Sequence, residues 1–193
     1  MIKKISYALA NWCIRDELLV AEEYTAVVFG LEVLLEQLVK TVGILIVGAS
    51  IGRFSAFSVI LIILGSLRIW TGGIHCKTSI GCFGVMLAGC TIITFSTRII
   101  YKILGFIPLY IILLLSIIIV FIYAPILSEK QYISMDKKMI KHRRRMSRVL
   151  IIAEASSTLC IPSGEWQWLI GLTIAWSSIS VLVCRNNRRE SRK

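Results

Sequence analysis

The sequence predicts an all-α fold, a polytopic transmembrane bundle of about four to six membrane segments with an N-terminal amphipathic helix. Hydrophobic residues make up 56% of the 193 positions and the mean hydropathy is +0.79, whereas soluble domains are usually about 45–50% apolar. The apolar residues form long runs such as 103–124, and about 20 apolar residues are enough for a helix to cross the hydrocarbon layer. Basic residues cluster between these runs, as they do in the loops of membrane proteins.

Residues 1–40 are predicted to form an amphipathic segment that is cytoplasmic or lies in the membrane interface. Apolar residues recur here at spacings of three and four, which places them in one stripe along a helix: Tyr24, Val27, Val28, Leu31, Leu35 and Leu38. The rest of the chain then divides into a transmembrane domain, residues 41–184, and a basic cytoplasmic tail, residues 185–193.

The apolar stretch 42–67 is longer than one span requires at a rise of about 1.5 Å per residue. Gly48, Gly52 and Arg53 interrupt it near its middle. Two arrangements are open, one long tilted helix or two short halves that re-enter on the same side. The four apolar segments that follow are 80–97, 103–124, 149–161 and 166–184, of which the last two form a hairpin.

The net charge is +11, from 22 Lys and Arg against 11 Asp and Glu. Its distribution favours membrane topology and contact with anionic lipid in a bilayer over nucleic-acid binding. The loop 126–148 and the C-terminal tail are the most basic stretches, so both are expected in the cytoplasm. Counting spans backwards from there places the stretch around His75, and the start of the next helix, at the cytoplasmic face.

A histidine and a cysteine follow a glycine pair in that stretch. Cysteine proteolysis needs a thiolate and an imidazole within hydrogen-bond reach, and His75 precedes Cys82 by seven residues. A continuous helix would separate the two by about 10.5 Å along its axis, so their contact requires a break. With Ser79 as a helix N-cap, Cys82 lies in the first turn, where the helix dipole favours a thiolate. The alternative is a loop histidine beside a packed cysteine.

Other constellations have less support. The chain has no HExxH pattern, and a zinc site built from His75, Cys76 and Cys82 lacks a fourth ligand at suitable spacing. We therefore expect no metal and no cofactor. His142 lies in a run of basic residues, for which a charged surface is the simpler explanation. Glu154 lies within an apolar stretch, which makes it a candidate functional residue by default.

The residues around the cysteine resemble the motif of the accessory gene regulator B (AgrB) family: Arg68, Gly72-Gly73-Ile74-His75 and Cys82. This resemblance implies a membrane endopeptidase of Gram-positive bacteria that processes a quorum-sensing propeptide similar to AgrD. Such an enzyme removes the acidic C-terminal tail of the propeptide through an acyl-enzyme thioester. A side chain of the propeptide then displaces the enzyme and closes a thiolactone or lactone ring.

The resemblance also implies roles for individual residues. Cys82 corresponds to the nucleophile, His75 to the general base and Gly73 to a backbone hinge. Arg68 orients the acyl donor or binds a substrate carboxylate, or it is an ordinary cytoplasmic anchor of its helix. Cys76 is a second thiol near the site, although its position in the motif favours Cys82 as the nucleophile.

The basic loop has two explanations. Its cationic side chains, Lys137 and Lys138 among them, can steer the acidic segment of a propeptide by long-range attraction, or they serve only as a topology signal with lipid contact. The resemblance further suggests a homodimer, which no residue specifies. Two other functions remain open from the sequence, a membrane exporter of peptides and a regulatory membrane partner without enzymatic activity.

Overall fold

The computed structural model of the chain describes residues 2–15, 24–72, 78–126, 136–161 and 164–190. Within these ranges the chain folds into seven α-helices: α1 (Ile2–Arg15), α2 (Tyr24–Ser50), α3 (Phe54–Thr71), α4 (Ser79–Ile103), α5 (Phe106–Tyr123), α6 (Lys137–Cys160) and α7 (Glu165–Glu190). The predicted all-α class is confirmed.

Five segments of the described helices are long and apolar enough to cross a membrane: Val27–Ser50, Phe54–Thr71, Ser79–Ile103, Phe106–Tyr123 and Glu165–Asn186. This number lies within the predicted range, and the chain is a multi-pass membrane protein. Of these five segments, the one in α7 has the largest share of buried residues, 56% of its most apolar part. Helix α7 is therefore the central helix of the unit that it belongs to.

The chain divides into two compact units, and Met1–Phe54 is the first of them. Helix α1 packs against α2, and the Tyr24 hydroxyl donates a hydrogen bond of 2.9 Å to Oδ1 of Asn11. Lys3 forms an ion pair of 3.9 Å with Glu32. Helix α1 is the more amphipathic of the two helices.

Helix α2 passes without a break through residue 40, where the sequence analysis ended the N-terminal segment. The apolar stripe from Tyr24 to Leu38 therefore belongs to the helix that contains the candidate span Val27–Ser50. The domain boundaries 1–40, 41–184 and 185–193 concern topology and function as well as helix ends, and they stay predictions.

Of the two arrangements predicted for residues 42–67, the single long helix is wrong, and re-entry on the same side stays a prediction. Helix α2 ends at Ser50 and α3 begins at Phe54, so the stretch contains the end of one candidate span and most of the next. The break falls at Gly52, whose φ of 68° lies in the left-handed region that favours glycine. Arg53 therefore lies in a turn and not within a membrane helix.

The second unit is Ser55–Lys193, in which α7 packs against α4, α5 and α6. Its core includes Leu67, Leu109, Ile151, Trp168 and Ile174, each at most 1% exposed. Lipid chains are as apolar as these side chains, so close van der Waals packing rather than the hydrophobic effect holds such helices together. Gly171 of α7 illustrates this, because a Cβ there would collide with the side chain of Leu109 on α5.

Three segments that lie outside the predicted spans are helical. Residues 98–102, between two of those spans, are the last part of α4, the predicted basic loop becomes helix from Lys137 onward, and the basic tail continues α7 to Glu190. Lysine and arginine have high helix propensity, and their charged ends reach water from a helix as well as from a loop. Charge density therefore did not mark loops in this chain.

One end of the second unit gathers most of its basic side chains. Arg148 donates a hydrogen bond of 3.2 Å to the Phe121 carbonyl near the end of α5, and the guanidinium of Arg185 lies 4.0 Å from the ring centre of Tyr123. The rings of Trp70 and His142 meet edge to face, 5.8 Å apart. We call this end, formed by the C-terminal ends of α3, α5 and α7 and the first half of α6, the basic end.

Gly72 joins two helices at the basic end. Its φ of 75° terminates α3 in a left-handed conformation, and its N–H donates to the Arg68 carbonyl at 3.1 Å. The N–H of Ile126, just after α5, donates to the Thr71 carbonyl at 2.9 Å. A Cβ on Gly72 would collide with the Ile126 carbonyl oxygen, so glycine is required here for both conformation and space.

The substitution Gly72→Ala is expected to destabilise the fold by at least about 1–2 kcal/mol, the cost of a left-handed conformation for a residue with a Cβ. Thermal unfolding in detergent measures the effect as a lower Tm. Gly84→Ala is the matched control, because a Cβ at Gly84 meets no atom within 4 Å and alanine is favoured in a helix by about 0.5–1 kcal/mol. Equal Tm values for the two variants would contradict this account of Gly72.

Candidate active site

Cys82 lies in the first turn of α4. Thr78 is the N-cap, in extended conformation, and its hydroxyl oxygen accepts a hydrogen bond of 3.2 Å from the Gly81 N–H. The Cys82 N–H donates to the Thr78 carbonyl at 3.1 Å. The cap was predicted at Ser79 and is one residue earlier, since the threonine hydroxyl reaches the third helical amide. The partial positive charge of a helix N-terminus favours an anion in this turn.

The thiol of Cys82 faces an arginine from another helix. Nη2 of Arg68, near the end of α3, lies 3.8 Å from the Cys82 sulfur in donor geometry. Cys82 is 7% exposed and Arg68 is partly buried. A guanidinium is charged at every physiological pH, so a permanent cation lies beside the sulfur.

A pocket adjoins this contact, and its walls come from three helices. Helix α3 contributes Arg68, so the arginine that contacts the Cys82 sulfur also lines the pocket. Helix α4 contributes two residues from the turn after Cys82, which share its face of the helix. The full lining is Leu64, Arg68 and Gly72 from α3, Val85 and Met86 from α4, and Trp176, Ser177 and Ser180 from α7.

The wall on α7 is held by a close helix contact. A Cβ on Gly89 of α4 would lie only 3.0 Å from Cε2 of the Trp176 ring, so the absence of a side chain at Gly89 lets the indole pack against α4. The Ser180 hydroxyl donates to the Trp176 carbonyl at 2.9 Å, which satisfies it within its own helix. Trp176 and Ser180, one turn apart, thus present one face of α7 to the pocket.

The structure brings together only part of the predicted site. Arg68 and Cys82 are in contact, whereas His75, Gly73 and Cys76 lie outside the described residues, and their roles stay predictions. Lys137 and Lys138 are exposed at the start of α6. One turn later, His142 touches Trp70 of α3, so the first half of α6 lies at the same end of the unit as Arg68.

The wall on α7 was not predicted from the sequence. Trp176, Ser177 and Ser180 lie within an apolar run that was assigned only as a span. A signal was present, because the two serines recur at a spacing of three beside a large aromatic residue, and polar residues in a span often face the interior of a bundle. The helix that they face could not be deduced from that spacing.

Glu154 has a local partner. The Ser66 hydroxyl of α3 donates a hydrogen bond of 2.6 Å to Oε1 of this α6 carboxyl. This hydrogen bond gives one of the two carboxyl oxygens of Glu154 a partner within an apolar segment. Within the described ranges no group of three or more His, Cys, Asp or Glu side chains is arranged to hold a metal ion, and the expectation of a metal-free site remains a prediction.

Comparisons with known proteins agree with the motif. The chain matches the family described as accessory gene regulator B (AgrB) over residues 2–181. A protein of Clostridium beijerinckii, whose name describes it as AgrB-like, is 34% identical over 122 residues, which is 63% of this chain and 58% of the relative. The match thus spans less than two thirds of the relative's length, and the search of solved structures found no significant match. The chain belongs to the AgrB family of membrane proteins, which ties it to the accessory gene regulator quorum-sensing system.

Proposed function

We propose that the chain is a membrane cysteine endopeptidase that cleaves the acidic C-terminal tail from an AgrD-like propeptide. One observation carries the proposal, the guanidinium of Arg68 at 3.8 Å from the sulfur of Cys82. Arg68 also lines a pocket whose walls come from three helices, and Val85 and Met86, one turn after Cys82, line it too. A buried thiol that serves only packing needs no cation beside it, whereas a nucleophilic thiolate does.

The first step is an acyl transfer to Cys82. The thiolate attacks the carbonyl carbon of the scissile peptide bond, a C–S bond forms and the C–N bond breaks. The departing nitrogen takes a proton from an imidazolium, the role that the family motif gives to His75. The products are a free acidic peptide and a thioester on Cys82.

The second step releases the rest of the peptide as a ring. A thiol or hydroxyl of the bound peptide attacks the thioester carbonyl and gives its proton to the neutral imidazole. The C–S bond to Cys82 breaks, and the thiolate and imidazolium with which the cycle began are restored. The charge of Arg68 is needed most at the start and end of this cycle, when the sulfur is anionic.

The basic end supports a cytoplasmic active site. Arg148, Arg185 and the first half of α6 lie at the same end of the unit as Cys82, and positive charge marks the cytoplasmic side of membrane proteins. The same charge would attract an acidic propeptide tail. A homodimer remains a prediction from the resemblance.

Replacing Cys82 by alanine is expected to abolish cleavage of an AgrD-like propeptide in proteoliposomes, because loss of a nucleophile lowers rates by at least about 10³-fold. Mass spectrometry should show a thioester at Cys82 in the parent and none in the variant. Cys90→Ala, two turns further along α4, is the control and should retain cleavage, as should Cys76→Ala. A fully active Cys82→Ala variant would refute the proposal.

Replacing Arg68 by alanine is expected to slow alkylation of Cys82 by iodoacetamide by roughly tenfold at neutral pH, because the thiolate loses its adjacent cation. Arg68→Lys keeps the charge but not the planar donor group, so it should recover part of the rate. Peptide mapping by mass spectrometry measures the modification at Cys82 alone. The idea that Arg68 is only a topological anchor requires unchanged alkylation in both variants.

The pair of substitutions Lys137→Glu and Lys138→Glu tests electrostatic steering by α6. Cleavage should slow at low salt, and the difference from the parent should shrink near 1 M salt, where the screening length falls to about 3 Å. Lys102→Glu, at an exposed lysine in the last turn of α4, is the control for each of the two single Lys→Glu substitutions, which carry the same change of charge. A loss of activity that does not depend on salt would argue against steering.

A further inference from the structure

The wall on α7 has a chemistry that the cleavage step does not use. Trp176 is the largest side chain in the pocket, and it faces Leu64 of α3 together with Val85 and Met86 of α4. These four side chains are apolar. Because Val85 and Met86 come one turn after Cys82 on the same face of α4, the apolar part of the pocket lies directly beside the nucleophile.

Ser177 adds a polar group to this apolar surface. It is 7% exposed and lines the pocket, and within the described ranges no hydrogen bond to its hydroxyl is found. The neighbouring Ser180 differs, since its hydroxyl is satisfied by the Trp176 carbonyl. Ser177 therefore offers hydrogen bonding to whatever occupies the pocket.

We propose that this pocket binds the peptide residue on the acyl side of the scissile bond, and that α7 sets its specificity for a large apolar side chain. This inference rests on the proposed function. The side chain of that residue lies among Leu64, Val85, Met86 and Trp176, and the Ser177 hydroxyl hydrogen-bonds its backbone. Trp176 and Ser177 act as specificity and positioning residues, and they take no part in the bond changes.

The occupant follows from the position of the pocket. In a thioester on Cys82, the residue that carries the acyl group is covalently attached to the sulfur, so its side chain must lie within a few ångströms of it. The adjoining space holds four apolar side chains and, apart from Arg68 at the sulfur, only small hydroxyl-bearing or glycine residues. A basic side chain in that position would lose its hydration beside the cation of Arg68, and an acidic one would compete with the Cys82 thiolate for that same cation.

The test uses tripeptide chloromethyl ketones, acetyl-Ala-Ala-Xaa-CH₂Cl, in which Xaa is Ala, Asp, Leu or Phe. Each reagent alkylates a nucleophilic thiol and presents Xaa as the acyl-side residue, so no natural propeptide is needed. The rate of modification at Cys82 is measured by mass spectrometry on the full chain in detergent. The Leu and Phe reagents should react at least about tenfold faster than the Ala and Asp reagents, the size expected of an apolar pocket.

Four variants test the roles of the pocket residues. Trp176→Ala should reduce the preference for Phe over Ala to within about threefold, and Val85→Phe, which fills the pocket without creating a cavity, should reverse it. Ile179→Ala, on the exposed side of α7, should leave the preference unchanged. Ser177→Ala should slow all four reagents by a similar factor. Iodoacetamide, which has no side chain, reports in every variant whether Cys82 is still folded and accessible.

The outcomes separate the two proposals. Equal rates for all four reagents, or an unchanged preference in both Trp176→Ala and Val85→Phe, would overturn the proposal that α7 sets specificity. The proposed endopeptidase function would be unaffected. If no peptide reagent modifies Cys82 while iodoacetamide does, no peptide reaches the sulfur, and both proposals fall.

Discussion

The contact between a cation and a sulfur joins α3 to α4 at the basic end of the second unit. An arginine within or near the hydrocarbon layer must lie in the interior of the protein or at an interface. Arg68 of α3 meets this condition, because its guanidinium faces the sulfur of Cys82 on α4. For the contact to form, α3 must end where α4 begins. Gly72 provides that end, and the hydrogen bond from Ile126 to Thr71 ties it to the end of α5. The contact between the guanidinium and the sulfur therefore depends on where α3 ends.

Helix α7 completes the pocket beside this contact. In lipid, helices associate where small residues allow close packing, and α7 uses this twice, through its own Gly171 against α5 and through Gly89 of α4 against Trp176. The second contact positions the indole beside the turn that follows Cys82. Trp176 therefore has two roles, since its ring packs α7 against α4 and also forms part of the pocket wall.

The sequence predicted what depends on local composition. Hydropathy indicated the fold class and the approximate spans, and the motif singled out Arg68 and Cys82, which the structure places in contact. Helix ends were harder to predict, because basic residues suit an exposed helix as well as a loop, as α6 shows. The wall on α7 depends on contacts between residues about 90 positions apart, such as Gly89 and Trp176, which no local pattern encodes. His75 lies outside the described residues, so the second half of the dyad still rests on the motif.

The continuity of α6 has a mechanical consequence. Its 24 residues give a rod of about 36 Å at the usual rise, charged in its first half and mostly apolar in its second. Sliding this rod inward by one turn would draw several cations into hydrocarbon, and sliding it outward would expose apolar side chains to water. Helix α6 therefore has one preferred depth in the membrane. Because α6 packs against α5 and α7, we expect a helix that contributes no residue to the pocket lining to influence the depth of the Cys82 sulfur below the lipid headgroups.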